Sequence, residues 1–359
     1  MSNSLIPIQL AELLRLARAK NASDLHVAPG LSPVVRIDGA LESVAGVITQ
    51  HQCELMAREL LKNEGRNSFG DLGDASVAHR DPQFGSFRIH AYRTGRGTAL
   101  AIRLLAQHIP TLDSLHLPEV VASFAQRRSG LILFAGPTGS GKTTALAALI
   151  DRINRKEAKH VITIEDPIEY AYESQKSVVT QREVGRDVRD FASALSGALR
   201  ADPDVILVGE LRDAPTMRAA LTAAETGHLV FSTLHTGDSS QTIDRMIDAF
   251  PSEAQQQVRV QISHTLQAVV CLRLVPRSAG AGRRAAAEIL IASDAVRNLI
   301  REEKTHQIRD VIATGRQAGM QTLESHLSEL VMRRDVTLQA ARAATDRPGD
   351  VRALERAAI

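Results

Sequence analysis

The chain has 359 residues, enough for two domains of ordinary size. Its 43 Lys and Arg residues nearly balance 41 Asp and Glu residues, and a net charge of +2 argues against an obligatory nucleic-acid partner, as do three Tyr and no Trp. Two cysteines exclude a disulfide framework and a tetracysteine zinc site. No signal peptide and no apolar run of membrane-spanning length are recognisable, so we expect a cytoplasmic protein.

The first part of the chain, residues 1–110, predicts an α+β domain. Apolar residues at helical spacing indicate a helix over 8–20, and Thr49 with Gln52 is the signature of a capping box that opens a helix ending near Asn63. Strands are predicted at 25–27, 34–37, 86–91 and 98–105, the second of them followed by the hairpin signal Asp38-Gly39.

Residues 111–118 are predicted to form a linker, and residues 119–359 a second domain. Short apolar runs alternate with helical segments there, which predicts a parallel sheet covered on both faces. The predicted strands are 131–135, 161–164, 205–208 and 229–231, and a helix is predicted from Lys142. Beyond Ser293 the pattern predicts the helices 294–302, 305–314, 322–333 and 337–345, followed by a polar tail from Asp346 that frays.

The strongest motif is a phosphate-binding loop. Residues 136–143 fit the pattern G-x-x-x-x-G-K-[ST] and lie between a predicted strand and a predicted helix. Glycines let backbone N–H groups surround a phosphate chain, Lys142 would reach the β- and γ-phosphates, and Thr143 would offer its hydroxyl to Mg²⁺. The predicted ligands are therefore ATP and Mg²⁺. The candidate binding residues are Gly136, Pro137, Thr138, Gly139, Ser140, Gly141, Lys142, Thr143 and Thr144.

A second motif resembles a Walker B strand. The apolar run 205–208 is followed by Gly209 and Glu210, so glycine stands where an Asp on the Mg²⁺ side is usual. Glu210 would polarise the attacking water and could also touch the metal shell. The alternative is an acid that is solvated at the end of a strand.

Two further segments carry polar side chains at strand ends. Glu165 and Asp166 follow an apolar strand and would face Mg²⁺–ATP, although a turn at the strand end is an equally open interpretation. His228 and His235 flank another strand and could report on the γ-phosphate, with a structural role as the alternative.

Three arginines of the N-terminal domain are candidates for a role in catalysis. Arg88, Arg96 and Arg103 lie on or between the two predicted strands after residue 85. An arginine that reaches the γ-phosphate from outside the phosphate-loop domain stabilises the charge of the transition state. The residues alone favour the alternative, in which these are solvated strand arginines.

Four motifs in this order resemble one family, the type IV pilus retraction ATPases (PilT-like) of the type II/type IV secretion ATPase superfamily. Residues 136–144 are similar to its Walker A motif, 163–170 to its Asp box, 200–213 to its Walker B motif and 227–236 to its His box. Residues 22–41 and 87–103 resemble its N-terminal domain and its arginine-bearing strands.

The resemblance implies a PAS-like α+β domain followed by a RecA-like P-loop NTPase domain with a helical C-terminal part. It implies a homo-hexameric motor at the cytoplasmic side of the inner membrane, with an inner-membrane pilus platform protein as partner and no nucleic acid. A paralogous pilus ATPase is a possible further partner. The implied catalytic residues are Lys142, Glu165, Glu210, His228, His235, Arg88, Arg96 and Arg103, and the implied Mg²⁺ ligands, partly through water, are Thr143, Glu165 and Glu210.

Several alternatives remain open at this point. Residues 295–302 resemble the AIRNLIRE segment of retraction ATPases, but an accessory, PilU-like retraction paralogue is hard to separate from the main enzyme. The P-loop core would also permit a nucleic-acid motor, against which charge and aromatic content argue. A third possibility is a nucleotide-gated regulator that binds ATP without useful turnover.

Overall fold

The computed structural model describes residues 8–37, 39–44, 46–61, 69, 73–81, 83–105, 108–280 and 282–352. The chain divides into two compact units, Met1–His108 and Ile109–Ile359. Leu112, which lies in the segment predicted as a linker, is buried in the core of the second unit.

The N-terminal unit is built on a six-stranded sheet with the order β3-β2-β1-β6-β5-β4, and all of its described pairings are antiparallel. Its strands are β1 (Asp24–Val27), β2 (Val34–Ile37), β3 (Ala40–Ser43), β4 (Asp74–Asp81), β5 (Gly85–Thr94) and β6 (Gly97–Leu104). The predicted strands are present, β3 was indicated only by the hairpin signal, and β4 was missed. Asp38 of the hairpin signal lies outside the described residues, but β2 and β3 do pair as a hairpin.

One face of this sheet is covered by helices α1 (Ile8–Ala19) and α2 (Gln50–Leu60). The capping box at Thr49 and Gln52 is confirmed, since each side chain bonds the backbone N–H of the other residue. Asn63, the predicted end of α2, lies outside the described residues. Alternation along the strands directs one set of side chains into this core and leaves the other set on the opposite face.

The second unit contains a seven-stranded sheet with the order β13-β12-β7-β11-β10-β8-β9. Its strands are β7 (Gly130–Ala135), β8 (His160–Glu165), β9 (Val178–Glu183), β10 (Val205–Val208), β11 (Leu229–Leu234), β12 (Leu266–Pro276) and β13 (Arg283–Ile291). The prediction of a purely parallel sheet is wrong at one edge, because β13 runs antiparallel to β12. Strands β9, β12 and β13 were not predicted.

Helices cover both faces of this sheet. Along β7, Leu131 and Leu133 face one apolar cluster while Ile132 and Phe134 face another, which is the pattern of a strand buried on both sides. The helices that precede the C-terminal part are α3 (Glu119–Ser123), α4 (Lys142–Lys156), α5 (Phe191–Ala198), α6 (Ala214–Glu225), α7 (Ser239–Asp248) and α8 (Ser252–Thr265).

The C-terminal part is helical, as predicted. It contains α9 (Asp294–Arg301), α10 (Ile308–Thr314), α11 (Leu323–Met332) and α12 (Leu338–Ala343). The expectation that the tail frays from Asp346 is wrong as far as residue 352, because Val351 is buried in an apolar cluster and Asp350 forms an ion pair with Arg309. Residues 353–359 lie outside the described residues.

Candidate nucleotide-binding site

The phosphate loop follows β7 and is shaped by glycines. Gly136 has φ 139°, and a Cβ atom there would lie 2.5 Å from the carbonyl oxygen of Leu272 and 2.6 Å from Ser140 Oγ. Any side chain at this position would therefore collide with the neighbouring strand. Gly141 has φ 94° and is the N-cap of α4, so the loop leads directly into a helix N-terminus, which favours anions.

Lys142 lies inside this loop. Its Nζ donates to the carbonyl oxygens of Gly136 (2.7 Å) and Pro137 (3.1 Å). Burial lowers the pKa of Lys142, while the negative charges of Glu210 and Glu169 oppose this shift. A largely buried ammonium group at the start of a helix and within a glycine-rich loop is suited to bind a polyphosphate.

The hydroxyl groups at the start of α4 differ in their surroundings. Thr144 Oγ1 lies 3.0 Å from Tyr170 Oη, whereas the Thr143 hydroxyl has no hydrogen-bond partner within the described ranges. The parts of the chain that the structure describes contain no group of three or more His, Cys, Asp or Glu side chains that could hold a metal ion. The Thr143 hydroxyl, beside the phosphate loop, would suit Mg²⁺, which binds through few protein ligands and completes its octahedron with water and phosphate oxygens.

Gly209 occupies a position where a larger residue would be tight. Its N–H donates to the carbonyl oxygen of Ile164 (2.8 Å), and a Cβ atom at Gly209 would lie 3.3 Å from that oxygen and 3.4 Å from the Cα atom of Glu165. The ends of β10 and β8 therefore lie so close together that a side chain at position 209 would crowd the backbone of β8. This close approach explains why glycine stands at this position of the Walker-B-like motif.

Glu210 lies at the carboxyl end of β10 among charged partners. Its Oε2 accepts a hydrogen bond from Arg212 Nε (2.8 Å), and its Oε1 lies 3.4 Å from His235 Nε2. Arg212 Nη1 is 4.0 Å from Asp166 Oδ2, and the Glu210 carboxylate raises the pKa of Arg212. The structure thus gathers Lys142, Glu210 and His235 at one edge of the sheet, as predicted, and adds Arg212, which we had not singled out although it follows Glu210 by two residues.

Glu165 is buried at the end of β8 and is hydrogen-bonded by neighbouring side chains. It is 6% exposed, and its Oε1 accepts hydrogen bonds from Thr163 Oγ1 (2.7 Å) and Gln181 Nε2 (3.2 Å). Burial raises the pKa of Glu165 to about 7. The role of Glu165 toward Mg²⁺–ATP stays a prediction, and Asp166 is the more exposed of the two acids.

His228 does not join the other predicted residues. It precedes β11, at the amino-terminal ends of the parallel strands and opposite the phosphate loop. There its carbonyl oxygen accepts the N–H of Gly130, and its ring Nδ1 lies 3.0 Å from the Ala223 carbonyl oxygen. The length of β7 separates Gly130 from the phosphate loop, a distance of about 20 Å. Within its own chain His228 therefore cannot report on the γ-phosphate, which corrects that expectation.

The three candidate arginines are all exposed in the N-terminal unit. Arg88 and Arg103 are directly opposite each other on β5 and β6, and Arg96 lies in the turn between these strands. Arg103 Nε donates to Asp24 Oδ1 (3.0 Å), which leaves Arg88 beside a like charge. The Arg88 and Arg103 side chains lie on the face of the sheet that is opposite the core, as solvated or ligand-binding arginines would.

A phosphate loop between an interior strand of a mostly parallel sheet and a helix, with an acid at the carboxyl end of the strand two positions away, defines the class of P-loop nucleoside triphosphatases. A family model described as "Type II/IV secretion system protein" matches residues 2–357. The chain therefore belongs to the type II/IV secretion system protein family, and within it the chain is a PilT-like ATPase.

Individual relatives agree with this assignment. The chain is 42% identical over 336 residues to the type IV pilus retraction ATPase PilT of Pseudomonas aeruginosa, covering 93% of this chain and 97% of the relative. It is 40% identical over 340 residues to a twitching motility protein of Neisseria gonorrhoeae, covering 94% and 91%. A crystal structure of the pilus retraction motor PilT with bound ADP superposes with a TM-score of 0.87 at 41% identity, covering 94% of this chain and 97% of that chain. None of the described helices combines the length and the apolar character needed to cross a bilayer.

Proposed function

We propose that this ATPase is a homo-hexameric motor whose ATP hydrolysis drives the retraction of a type IV pilus and thereby twitching motility. The observation that carries the chemistry is that the phosphate loop with Lys142 follows β7, while Glu210 and His235, 3.4 Å apart, follow β10 and β11 at the carboxyl ends of the same parallel strands. The similarity to PilT over nearly the whole chain supports the pilus as the load.

The residues divide the work of hydrolysis. The loop N–H groups and Lys142 hold the phosphates, and Glu210 accepts a proton from the attacking water. Arg212 fixes one carboxylate oxygen of Glu210, and His235 lies beside the other, so the base is oriented before the substrate binds. Mg²⁺ bound with ATP would neutralise phosphate charge, and the Thr143 hydroxyl would hold it.

The motor step would follow from release of the nucleotide. Arg88, Arg96 and Arg103 would contribute positive charge to the γ-phosphate from the N-terminal unit, and hydrolysis would remove that attraction. The partner that receives the motion would be an inner-membrane platform protein, which places the hexamer at the cytoplasmic surface of that membrane. In this proposal residues 1–110 act as a PAS-like domain, 111–118 as the connection and 119–359 as a RecA-like domain. The division of the chain near residue 108 supports two domains, and Leu112 of the proposed connection packs in the core of the second.

The test is steady-state ATPase activity and native mass, measured on the same samples. Glu210→Gln removes the base and should lower turnover by about 10²- to 10⁴-fold while ATP still binds. Glu253→Gln, at an exposed position on α8, is the matched control and should leave turnover unchanged. Turnover by a monomer that is indifferent to Glu210, or ATP binding without steady-state turnover in the wild type, would contradict the proposal.

The cellular load has its own test. In a strain that lacks its retraction ATPase, the wild-type chain should restore twitching and lower the number of surface pili, and Glu210→Gln should do neither. Restoration by the inactive variant would show that nucleotide hydrolysis by this chain does not drive retraction.

A further inference from the structure

Strand β12 continues past the end of β7 and runs beside the phosphate loop. Cys271 pairs with Ala135, the last residue of β7. Beyond this pair, the carbonyl oxygen of Leu272 faces Gly136, and the Leu274 side chain lies 3.7 Å from where a Cβ atom of Gly141 would be. Arg273, between these two leucines, is therefore level with the loop.

The Arg273 side chain extends toward the loop that follows β11. Its Nη2 atom lies 3.5 Å from the position that a Cβ atom of Gly237 would occupy, two residues after His235. Arg273 also lines a cavity of about 360 Å³ that begins at the phosphate loop. The cavity is also lined by the loop residues Pro137 and Ser140, by Arg283 and by Asp346.

This guanidinium group lacks partners in the part of the chain that the structure describes. Its Nε is buried without a hydrogen bond. Asp346 lines the same cavity, but Arg273 forms no ion pair with it or with any other acid of the described ranges. Ser140 Oγ, at the same cavity, is also buried without a partner. Buried donors are almost always satisfied, so these groups indicate a missing acceptor with several oxygens. A guanidinium group matches the geometry of phosphate.

The position of Lys142 indicates which phosphate group of a bound nucleotide would lie near Arg273. Lys142 Nζ lies against the carbonyl oxygens of Gly136 and Pro137, and a phosphate-loop lysine contacts the β- and γ-phosphates. Because Pro137 lines the cavity together with Arg273, the cavity adjoins the end of the loop that holds the terminal phosphate. His235, beside Glu210, lies in the loop that Arg273 approaches.

We infer that Arg273 binds the terminal phosphate of ATP within its own chain and so distinguishes ATP from ADP. This inference rests on the proposed ATPase function and adds an intrachain cation to the arginines of the N-terminal unit.

The test compares the affinities of the full-length protein for a β,γ-imido analogue of ATP and for ADP, both with Mg²⁺. Arg273→Gln should weaken binding of the analogue by about tenfold or more, because one charge-assisted hydrogen-bonding group is lost, and change ADP binding less than about twofold. Arg273→Lys should retain part of the preference. Arg277→Gln, at an exposed position after the same strand, is the matched control and should bind both nucleotides as the wild type does.

The outcomes separate this inference from the proposed function. Equal weakening of both nucleotides by Arg273→Gln, or no change in either, would overturn the assignment of Arg273 while the wild-type affinities remain evidence for a nucleotide site. ADP binding by the variant also shows that its phosphate loop is folded. A wild-type protein that binds neither nucleotide would overturn the proposed function as well.

Discussion

The two sheets of this protein place their polar side chains in different ways. In the second unit, β7, β8, β10 and β11 are parallel and buried on both faces, so polar groups collect where the strands end. In the N-terminal unit the strands are antiparallel, one face forms the core, and the other face carries Arg36, Asp24, Arg103 and Arg88 in one row across four strands.

Strand direction explains this difference. Parallel strands bring their carboxyl ends to one edge, so residues that are far apart in sequence meet there without any special pairing. In an antiparallel sheet, neighbouring ends point in opposite directions, and the exposed face is the surface that remains for binding. The parallel sheet therefore brings a complete set of polar groups together within one unit. On the antiparallel sheet, the exposed arginines have only Asp24 as an acidic partner among the described residues.

The exposed arginines provide the largest test of this contrast. If these arginines are only solvated surface residues, their removal should have no effect on catalysis. If they contact the nucleotide, Arg88→Ala and Arg96→Ala should each lower turnover by about 10²-fold or more. Because both are exposed, the free energy of unfolding should change by less than about 0.5 kcal/mol. ATPase activity and chemical denaturation of the same variants check this.

The control for these variants is Arg36→Ala. Arg36 lies opposite Asp24 in the same row but is not among the three candidates, so turnover should stay near the wild-type value. An equal loss in Arg36→Ala would mean that the charge of the face, rather than the three candidate positions, matters.

Glu165 tests how strongly burial at the end of a parallel strand changes the pKa of a carboxyl group. Burial raises the pKa of Glu165 from 4.5 to about 7, so the folded chain holds a proton that the unfolded chain releases between these values. The free energy of unfolding should therefore decrease as the pH rises from about 4.5 to about 7. Glu165→Gln stays neutral, so it should remove this decrease and stabilise the protein above pH 7 by at most roughly 3 kcal/mol.

Chemical denaturation at several pH values measures this effect. Glu253→Gln, at an exposed position, should retain the pH dependence of the wild type. A Glu165→Gln protein that follows the wild-type curve would show that the carboxyl group titrates normally and is accessible, as the family-based role requires.

The smallest expected effect tests whether the N-terminal unit can lose stability without a change in nucleotide binding by the second unit. Thr49→Ala removes the N-cap of α2 and should cost about 1 kcal/mol, because one helix N–H loses its acceptor. Amide hydrogen exchange should show the loss in α2 and β6, which pack together, and ATP affinity should not change. Thr337→Ala, which removes the N-cap of α12, should instead lower protection in the C-terminal part.

The sequence predicted most of the parallel core because its strands are short apolar runs next to clear turn signals. Strand β12 was missed because α8 ends at Thr265 and β12 begins at Leu266, with no Gly or Pro between them. Strand β9 was missed because it is an exposed edge strand with the polar sequence VVTQRE. Local sequence signals therefore failed where a boundary or an apolar pattern was absent.

The candidate site shows a similar limit. Motif spacing was sufficient to predict that Lys142, Glu210 and His235 meet, because each follows a parallel strand. It could not show that Glu165 turns inward toward Gln181, since this depends on the pairing of β8 with β9. Arg273 carried no motif signal, because its proximity to the loop arises from the register of β12 against β7.

The position of β7 in the sheet also has a consequence for biosynthesis. Its two neighbours are β11, which begins more than 90 residues later, and β12, which begins about 130 residues later. At a translation rate of about 5–20 residues per second, the apolar segment Leu131–Phe134 leaves the ribosome roughly 5–25 s before its hydrogen-bonding partners exist. During this interval the described helices α3 and α4, which flank β7 in the sequence and contribute Val121, Leu146 and Leu149 to the same apolar cluster, are the elements that can cover Ile132 and Phe134. We therefore expect these two local helices to protect one face of the nascent strand from aggregation.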